Sequence, residues 1–245
     1  MDKNIYYKLA KIQKSNWFFK AKRDLIEKIF LKYKIKPKKS LDIGAGIGTN
    51  IQLLKKFSQK VQGVDNSKEA IKIARIEGIK NIYYGNALTF HKSKYDFILC
   101  SDIMEHVNDQ KFLKNLHQIT SKSGYVLITV PAFNFLWGNS DEIAHHQRRY
   151  SVKTLKELML KHHFKITMIN YWNFFTFLPA IFYLYLYEKI IAKAFNIKPK
   201  DNLFNIPKFL NQPLYWLMRI ENWLCLKLRW PFGVDIVLLA KHLDE

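Results

Sequence analysis

Residues 40–50 of the 245-residue chain read Ser-Leu-Asp-Ile-Gly-Ala-Gly-Ile-Gly-Thr-Asn. The apolar residues Leu41 and Ile43 predict the end of a short buried strand, and the segment after residue 48 has the apolar spacing of a helix. The loop between them contains three glycines in the spacing G-x-G-x-G: Gly44, Gly46 and Gly48. Because glycine lacks Cβ and a helix begins with unpaired N–H groups, this loop predicts a site where backbone closely approaches a ligand.

An acidic residue, Asp42, lies two places before the first glycine. Dinucleotide sites use the spacing G-x-G-x-x-G, because there the helix end receives a pyrophosphate. An acid beside the loop would repel phosphate, but it suits the ammonium group of an amino-acid-like ligand. The pattern therefore favours S-adenosylmethionine over a dinucleotide.

Residues 40–130 resemble the core of a class I S-adenosylmethionine-dependent methyltransferase. The resemblance implies a Rossmann-like α/β fold: a seven-stranded, mostly parallel sheet with helices on both faces and an antiparallel last strand. It implies methyl transfer, with S-adenosylhomocysteine as the product. It also implies a set of cofactor-binding residues, namely Asp42, Gly44, Gly46, Gly48, Asp65, Asn66, Asn86, Ala87, Ser101 and Asp102.

Two of these residues follow predicted strands. Asp65 ends the strand predicted at residues 61–65, where its two acceptor oxygens are placed to bind both hydroxyls of a ribose. Asn86 follows the strand predicted at residues 81–84, at a position where the family usually has an acid that contacts adenine. An amide oxygen can still accept that bond, and a simple turn is the alternative.

Residues 101–107, Ser-Asp-Ile-Met-Glu-His-Val, follow the strand predicted at 95–100. They resemble the Glu-His segment of ubiquinone-type O-methyltransferases, which makes Glu105 and His106 candidate catalytic residues. The alternative is that both only cap the next turn. The segment lacks the Asn/Asp-Pro-Pro-aromatic motif of enzymes that methylate adenine amino groups, and neither cysteine precedes or follows a proline as in cytosine-C5 enzymes.

A second candidate group lies in a long loop after the strand predicted at residues 124–130. Residues 146–150, His-Gln-Arg-Arg-Tyr, resemble a signature of cell-envelope-associated methyltransferases. Arg148 and Arg149 suit a carboxylate or phosphate of the acceptor, with Tyr150 beside them, or they anchor the loop on nearby acids. Histidine is the side chain that most often serves as a general base, so the general base is either His146 or His106.

The chain is predicted to be one domain with additions around its catalytic core, which comprises residues 40–171 and 231–245. Residues 1–39 are predicted to form a helical cap, with an amphipathic helix at 16–33 that has Lys22 on its wet face. Residues 17–23 resemble a segment that precedes the core in cell-envelope methyltransferases, which implies that Trp17 lines the acceptor pocket; the alternative is a packing helix with a solvated basic face. Residues 172–230 form an aromatic and basic insertion between strands six (163–171) and seven (233–241). Its uncharged stretch, 172–187, is shorter than the ~20 residues that span a bilayer. The insertion is therefore expected to form a lid and to suit peripheral contact with a membrane.

The formal net charge is +20. It divides as +10 in residues 1–39, +4 in residues 40–150 and +6 in residues 151–245. Such a charge favours an acidic partner, although coding bias is the alternative. Cys100 and Cys225 match no metal spacing, so no metal is expected, and a reduced cytoplasmic location follows, with contact at the inner face of the membrane.

These observations predict methyl transfer to an oxygen or nitrogen of a small or lipid-linked, anionic acceptor. One alternative is an RNA methyltransferase that uses the basic surface. It is less favoured because no RNA-binding module is recognisable. The other alternative is a non-catalytic, membrane-associated protein that binds S-adenosylmethionine. The oligomeric state stays open.

Overall fold

The computed structural model describes residues 10, 12–195 and 207–243. The strands are β1 Lys39–Ile43, β2 Lys60–Asp65, β3 Ile82–Tyr84, β4 Tyr95–Ser101, β5 Thr120–Pro131, β6 Phe164–Trp172 and β7 Asp235–His242. The α-helices are α1 Trp17–Lys32, α2 Thr49–Leu54, α3 Lys68–Ile76, α4 Asp109–Ile119, α5 Asn139–Ala144, α6 Val152–Lys161, α7 Phe177–Phe182 and α8 Lys208–Cys225. Two 3-10 turns, Met104–His106 and Asn134–Leu136, and a π-helix, Tyr183–Ala192, complete the described elements.

The seven strands form one sheet in the order β3-β2-β1-β4-β5-β7-β6. Strands β1 to β5 are all parallel to one another, whereas β7 is antiparallel to both β5 and β6. The predicted fold class is therefore confirmed. The strand order reverses between β1 and β4, and open α/β sheets bind ligands beyond the carboxyl ends of their strands at such a reversal.

The core has two parts, one on each face of the sheet. On one face, α1, α2, α3 and α8 pack against side chains of β2 to β7 around Phe30, Phe97 and Trp172. On the other face, α4 and α6 cover β4 and β5 around Phe112 and Phe164. Strand β5 is buried on both faces because its apolar run, from residue 126 onwards, packs against both helical layers.

Several boundaries differ from the sequence prediction. Strand β5 begins at residue 120 rather than 124, and the loop after it contains the turn Asn134–Leu136 and the short helix α5. Helix α8 begins at Lys208 and contains Pro213 as its sixth residue. Proline removes one backbone donor there, and it lies on an exposed side of the helix.

The division of the chain into cap, core and lid stays a prediction. Residues 1–9 and 11 of the cap and residues 196–206 of the insertion lie outside the described residues. Within the described part, no helix has both the length and the apolar character needed to cross a membrane.

Candidate functional site

The glycine loop follows β1 at the carboxyl edge of the sheet. Gly44, Gly46 and Gly48 have φ of 71°, 54° and 79°, a left-handed conformation that side chains with a Cβ rarely adopt. A Cβ on Gly44 would lie 3.0 Å from the side chain of Ile103, so the loop packs directly against the segment after β4. A Cβ on Gly46 would meet nothing within 4 Å, which leaves open space beside the loop.

Asp65 ends β2 next to this loop. Its Oδ2 accepts a hydrogen bond from the Gly46 N–H at 2.7 Å, and its Oδ1 accepts one from the Ser67 N–H at 2.8 Å. Burial raises the pKa of Asp65 despite these bonds. Since a carboxylate has about four acceptor sites, the remaining two are available to ribose hydroxyls.

Asp42 lies beneath the loop with both carboxylate oxygens buried, and neither has a hydrogen-bond partner in the part of the chain that the structure describes. Burial, and then the charge of Asp65, raise the pKa of Asp42 well above its usual range. A buried acceptor without a donor is costly, and an ammonium group would provide the missing donor. The residues of this loop therefore fit S-adenosylmethionine: Asp42 for the amino-acid part, Asp65 for the ribose and Gly46 for close approach.

The other residues expected to bind the cofactor have local roles in this structure. The side chain of Asn86 accepts a hydrogen bond from the Leu88 N–H at 2.9 Å, which agrees with the simple turn considered above. The carbonyl of Ala87 accepts a bond from the amide of Asn115 at 2.7 Å. Asn66 is exposed beside Asp65.

Asp102 follows β4 in a left-handed conformation, with φ of 54°. Its Oδ1 accepts a hydrogen bond from the Thr129 hydroxyl at 2.9 Å, and the Ser101 hydroxyl lies 3.4 Å from its Oδ2. The same Oδ2 forms an ion pair with Lys22 of α1. The ammonium of Lys22 also lies 5.5 Å from the ring centroid of Trp172.

Lys22 is buried, so its prediction on the wet face of α1 was wrong. The helical period placed it opposite the apolar residues, but the interior that it enters here is polar. Sequence reasoning also missed Asp235, Asn173 and Glu221, which are buried together near the start of β7 and on α8. Burial raises the pKa of Asp235 to about 6, although the charge of Lys22 lowers it.

Glu105, His106 and His146 come together beyond β4. One ligand atom of each lies within 4.8 Å of the others, and the rings of the two histidines meet edge to face at 4.8 Å between centroids. Both oxygens of Glu105 are buried without a hydrogen-bond partner among the described residues, and His146 Nε2 lies 3.9 Å from Glu105 Oε1. Burial raises the pKa of Glu105 well above its usual range and lowers the pKa of His106. One carboxyl and two imidazoles are also a donor set that could hold a divalent cation, although no metal was expected from the sequence.

Asp141 of α5 fixes His146 and Arg149. His146 Nδ1 lies 2.7 Å from Asp141 Oδ1, while Arg149 donates from Nε to Oδ1 at 2.8 Å and from Nη2 to Oδ2 at 2.9 Å. Burial alone would raise the pKa of Asp141, but hydrogen bonds from His146 and Arg149 hold it below its usual value. Because the Asp141 carboxylate accepts a hydrogen bond from Nδ1–H, His146 is expected as the tautomer with a free lone pair on Nε2.

The remaining residues expected to bind substrate also have partners within the protein. Arg148 donates from Nη1 to the Val107 carbonyl at 2.7 Å. Tyr150 is buried, and its hydroxyl donates to the Met104 carbonyl at 3.3 Å. Trp17 is half-buried against the core and does not approach the histidines in any described contact.

The insertion flanks this edge of the sheet. Helix α8 packs its inner face on α1 and β6, where the Asn222 side chain donates to the Ala21 carbonyl at 2.8 Å. The π-helix contacts the loop after β5, because Glu188 Oε2 accepts the Asn139 N–H at 2.9 Å. The π-helix thus borders the loop that contains His146.

Comparisons with known proteins agree with this architecture. A family model described as a methyltransferase domain matches residues 15–169. The chain is 33% identical over 117 residues to the ubiquinone biosynthesis O-methyltransferase of Pelagibacter ubique, covering 44% of this chain and 49% of that protein. It is 26% identical over 136 residues to the norajmaline N-methyltransferase of Rauvolfia serpentina, covering 51% and 47% of the two chains. The chain thus spans about half the length of these curated relatives.

Solved structures share the fold at low sequence identity. A SAM-dependent methyltransferase from Archaeoglobus fulgidus has a TM-score of 0.52 at 17% identity, covering 89% of this chain and 94% of that one. Phosphoethanolamine N-methyltransferase 2 of Haemonchus contortus, solved with S-adenosyl-L-methionine, has a TM-score of 0.54 at 18% identity, covering 89% and 52%.

Proposed function

We propose that this chain, which belongs to the methyltransferase domain family, is a class I S-adenosylmethionine-dependent methyltransferase that methylates an oxygen or nitrogen of a small or lipid-linked acceptor. The observation that carries this proposal is the contact between two segments at one sheet edge. The cofactor loop at Gly44 packs on Ile103, three residues from His106 and two from the buried carboxyl of Glu105. A binding loop and proton-transferring groups therefore adjoin.

S-adenosylmethionine supplies a methyl group that its sulfonium already activates. The protein then has to hold the acceptor in line, exclude water and accept a proton where the acceptor has one to lose. His146 is our choice for the base, because Asp141 holds its ring and leaves Nε2 able to take the proton. A lowered pKa keeps His106 neutral beside it.

The surroundings favour a hydroxyl or amine acceptor over an anionic one. The expectation of an anion depended on Arg148 and Arg149, but the guanidinium of Arg149 is already paired with Asp141. Near the site, the ammonium of Lys22 is already paired with the carboxylate of Asp102, so it is not available to an anion.

The acceptor class can be tested with methyl-labelled S-adenosylmethionine. The purified protein is incubated with a cell extract, which is then separated into organic, small-molecule and nucleic-acid fractions. Label in the organic or small-molecule fraction would support the proposal. Label in RNA would overturn the acceptor class in favour of the RNA alternative. Absence of label, with cofactor binding intact in calorimetry, would favour the non-catalytic alternative.

The role of His146 can be tested with its neighbour as control. His146→Asn should reduce kcat about a hundredfold, as loss of a general base does, with little change in the Kd for S-adenosylmethionine. The control is His145→Asn, since His145 is exposed in a left-handed conformation that asparagine tolerates. Equal activity of the two variants would exclude His146 as the base.

A further inference from the structure

Helix α8 buries two polar side chains against the protein and exposes several large apolar side chains to water. An ordinary surface helix has the reverse arrangement, because burial of apolar area stabilises it. The inner face of α8 contains Glu221 and Asn222, both fully buried, beside Met218 and Cys225.

The polar inner residues all have partners. The carboxylate of Glu221 accepts hydrogen bonds from the backbone N–H groups of Phe174 and Phe175, at 3.0 and 3.1 Å. Asn222 accepts a bond from the indole of Trp172 at 2.8 Å and donates to the Ala21 carbonyl. The orientation of α8 is therefore fixed by specific bonds, so the exposure of its apolar side is built into the packing.

The outer face is a continuous apolar stripe. Phe209, Trp216, Ile220 and Trp223 are exposed and are spaced seven, four and three residues apart, which places them on one side of a helix. Leu210 and Leu217, together with Leu228 just after the helix, extend this side. We call these seven residues the α8 stripe. Monomeric proteins rarely leave such a contiguous apolar surface without a function.

Cations lie directly beside the stripe. The ammonium of Lys227 is 3.6 Å from the ring centroid of Trp223, and the guanidinium carbon of Arg219 is 4.8 Å from that of Trp216. Residues 207–230 contain four basic residues and one acid, and that acid is the buried Glu221. Apolar and aromatic side chains flanked by basic groups are typical of helices that lie in the headgroup region of an anionic bilayer.

We propose that the α8 stripe binds the surface of an anionic lipid bilayer, with α8 lying in the plane of the interface. The helix has 18 residues, a length of about 27 Å, so it offers an extended contact. Binding at a lipid surface would immerse the indoles of Trp216 and Trp223 and bring Arg219 and Lys227 to the phosphates. The proposal does not depend on the identity of the acceptor or on catalysis.

The test is flotation with vesicles of phosphatidylcholine, with and without phosphatidylglycerol. The variant is Trp216→Ser/Trp223→Ser. The control is Ile76→Ser/Leu160→Ser, which removes exposed apolar side chains elsewhere. Leu160 is 51% exposed, and each tryptophan is 52% exposed. We expect wild type and control to bind phosphatidylglycerol vesicles and the tryptophan variant to bind about tenfold more weakly or worse. Circular dichroism and the Kd for S-adenosylmethionine should not differ between the three proteins.

Charge provides a second arm. Arg219→Gln/Lys227→Gln should weaken binding to phosphatidylglycerol vesicles. Added salt should reduce the difference in binding between this variant and wild type. Binding of wild type to neither kind of vesicle, or equal binding of the tryptophan variant, would overturn the proposal. A wild-type dimer in sedimentation that the tryptophan variant dissociates, without vesicle binding, would assign the stripe to a second copy of the chain instead.

Discussion

The pair formed by Arg149 and Asp141 makes a sharp prediction about stability. Both side chains are almost fully buried, and the guanidinium donates two bonds to the carboxylate and a third to the Ala132 carbonyl at 3.0 Å. Removing one partner of such a pair leaves an uncompensated buried charge, which costs about 3–5 kcal/mol. Arg149→Met should therefore lower the free energy of unfolding by about 3 kcal/mol, near the lower limit because Asp141 keeps His146 and the Gly138 N–H as partners.

The measurement is urea denaturation of four proteins: wild type, Arg149→Met, Asp141→Leu and the double variant. Replacing both charges with apolar groups leaves neither one unpaired, so the double variant should lose less stability than the two single variants together. Arg148→Met is the control, since Arg148 is about a third exposed and should contribute about 1 kcal/mol.

The effect should depend on pH in a defined direction. The pKa of Asp141 is held below its usual 3.8, so the stability that its charge contributes is present above pH 3.8 and is lost as pH falls through the lower folded pKa. The difference between wild type and Arg149→Met should shrink in that acidic window. If Arg149→Met unfolds like wild type but raises the KM for the acceptor, Arg149 is a substrate ligand and our reasoning fails.

Two further predictions concern the cofactor loop. Asp65→Ala should weaken S-adenosylmethionine binding in calorimetry by about tenfold or more, since it removes charge-assisted bonds to the ribose; unchanged affinity would remove Asp65 from the site. Asp42→Asn should stabilise the ligand-free protein at pH 8, because a raised folded pKa means that ionisation of Asp42 destabilises the fold progressively above the unfolded value of about 3.8. The same variant should bind the cofactor more weakly, and unfolding curves that coincide with wild type at pH 8 would contradict the assigned burial cost.

The sheet and the cofactor loop could be predicted because their signals are local. Gly44, Gly46 and Gly48 require conformations that glycine alone adopts readily, and the acids at the strand ends lie at fixed distances from them. Adjacent parallel strands then bring residues 42 and 65 to one edge without any further information. Ser151 is a local signal of the same kind, since its side chain accepts a bond from the Thr154 N–H and so caps α6.

The side-chain partners within the site could not be predicted in the same way. The sequence offered Arg149 two roles, substrate contact or attachment to a nearby acid. Only the fold brings Asp141 within 2.9 Å of its guanidinium and His146 to the other side of the same carboxylate. Lys22 was placed on the wrong face because a helical period assumes an apolar interior, whereas α1 covers buried carboxyl groups.

Polar contacts connect α8 with the site, because α1 and α8 touch. Asn222 of α8 binds the Ala21 carbonyl of α1, and the next residue, Lys22, reaches Asp102 beside the cofactor loop. The buried face of α1 is otherwise apolar, as in an ordinary surface helix, whereas α8 has large apolar side chains on its outer face. An enzyme that must reach a lipid-linked acceptor needs an apolar outer surface near its site. The outer face of α8 is apolar because the solvent that we propose for it is lipid.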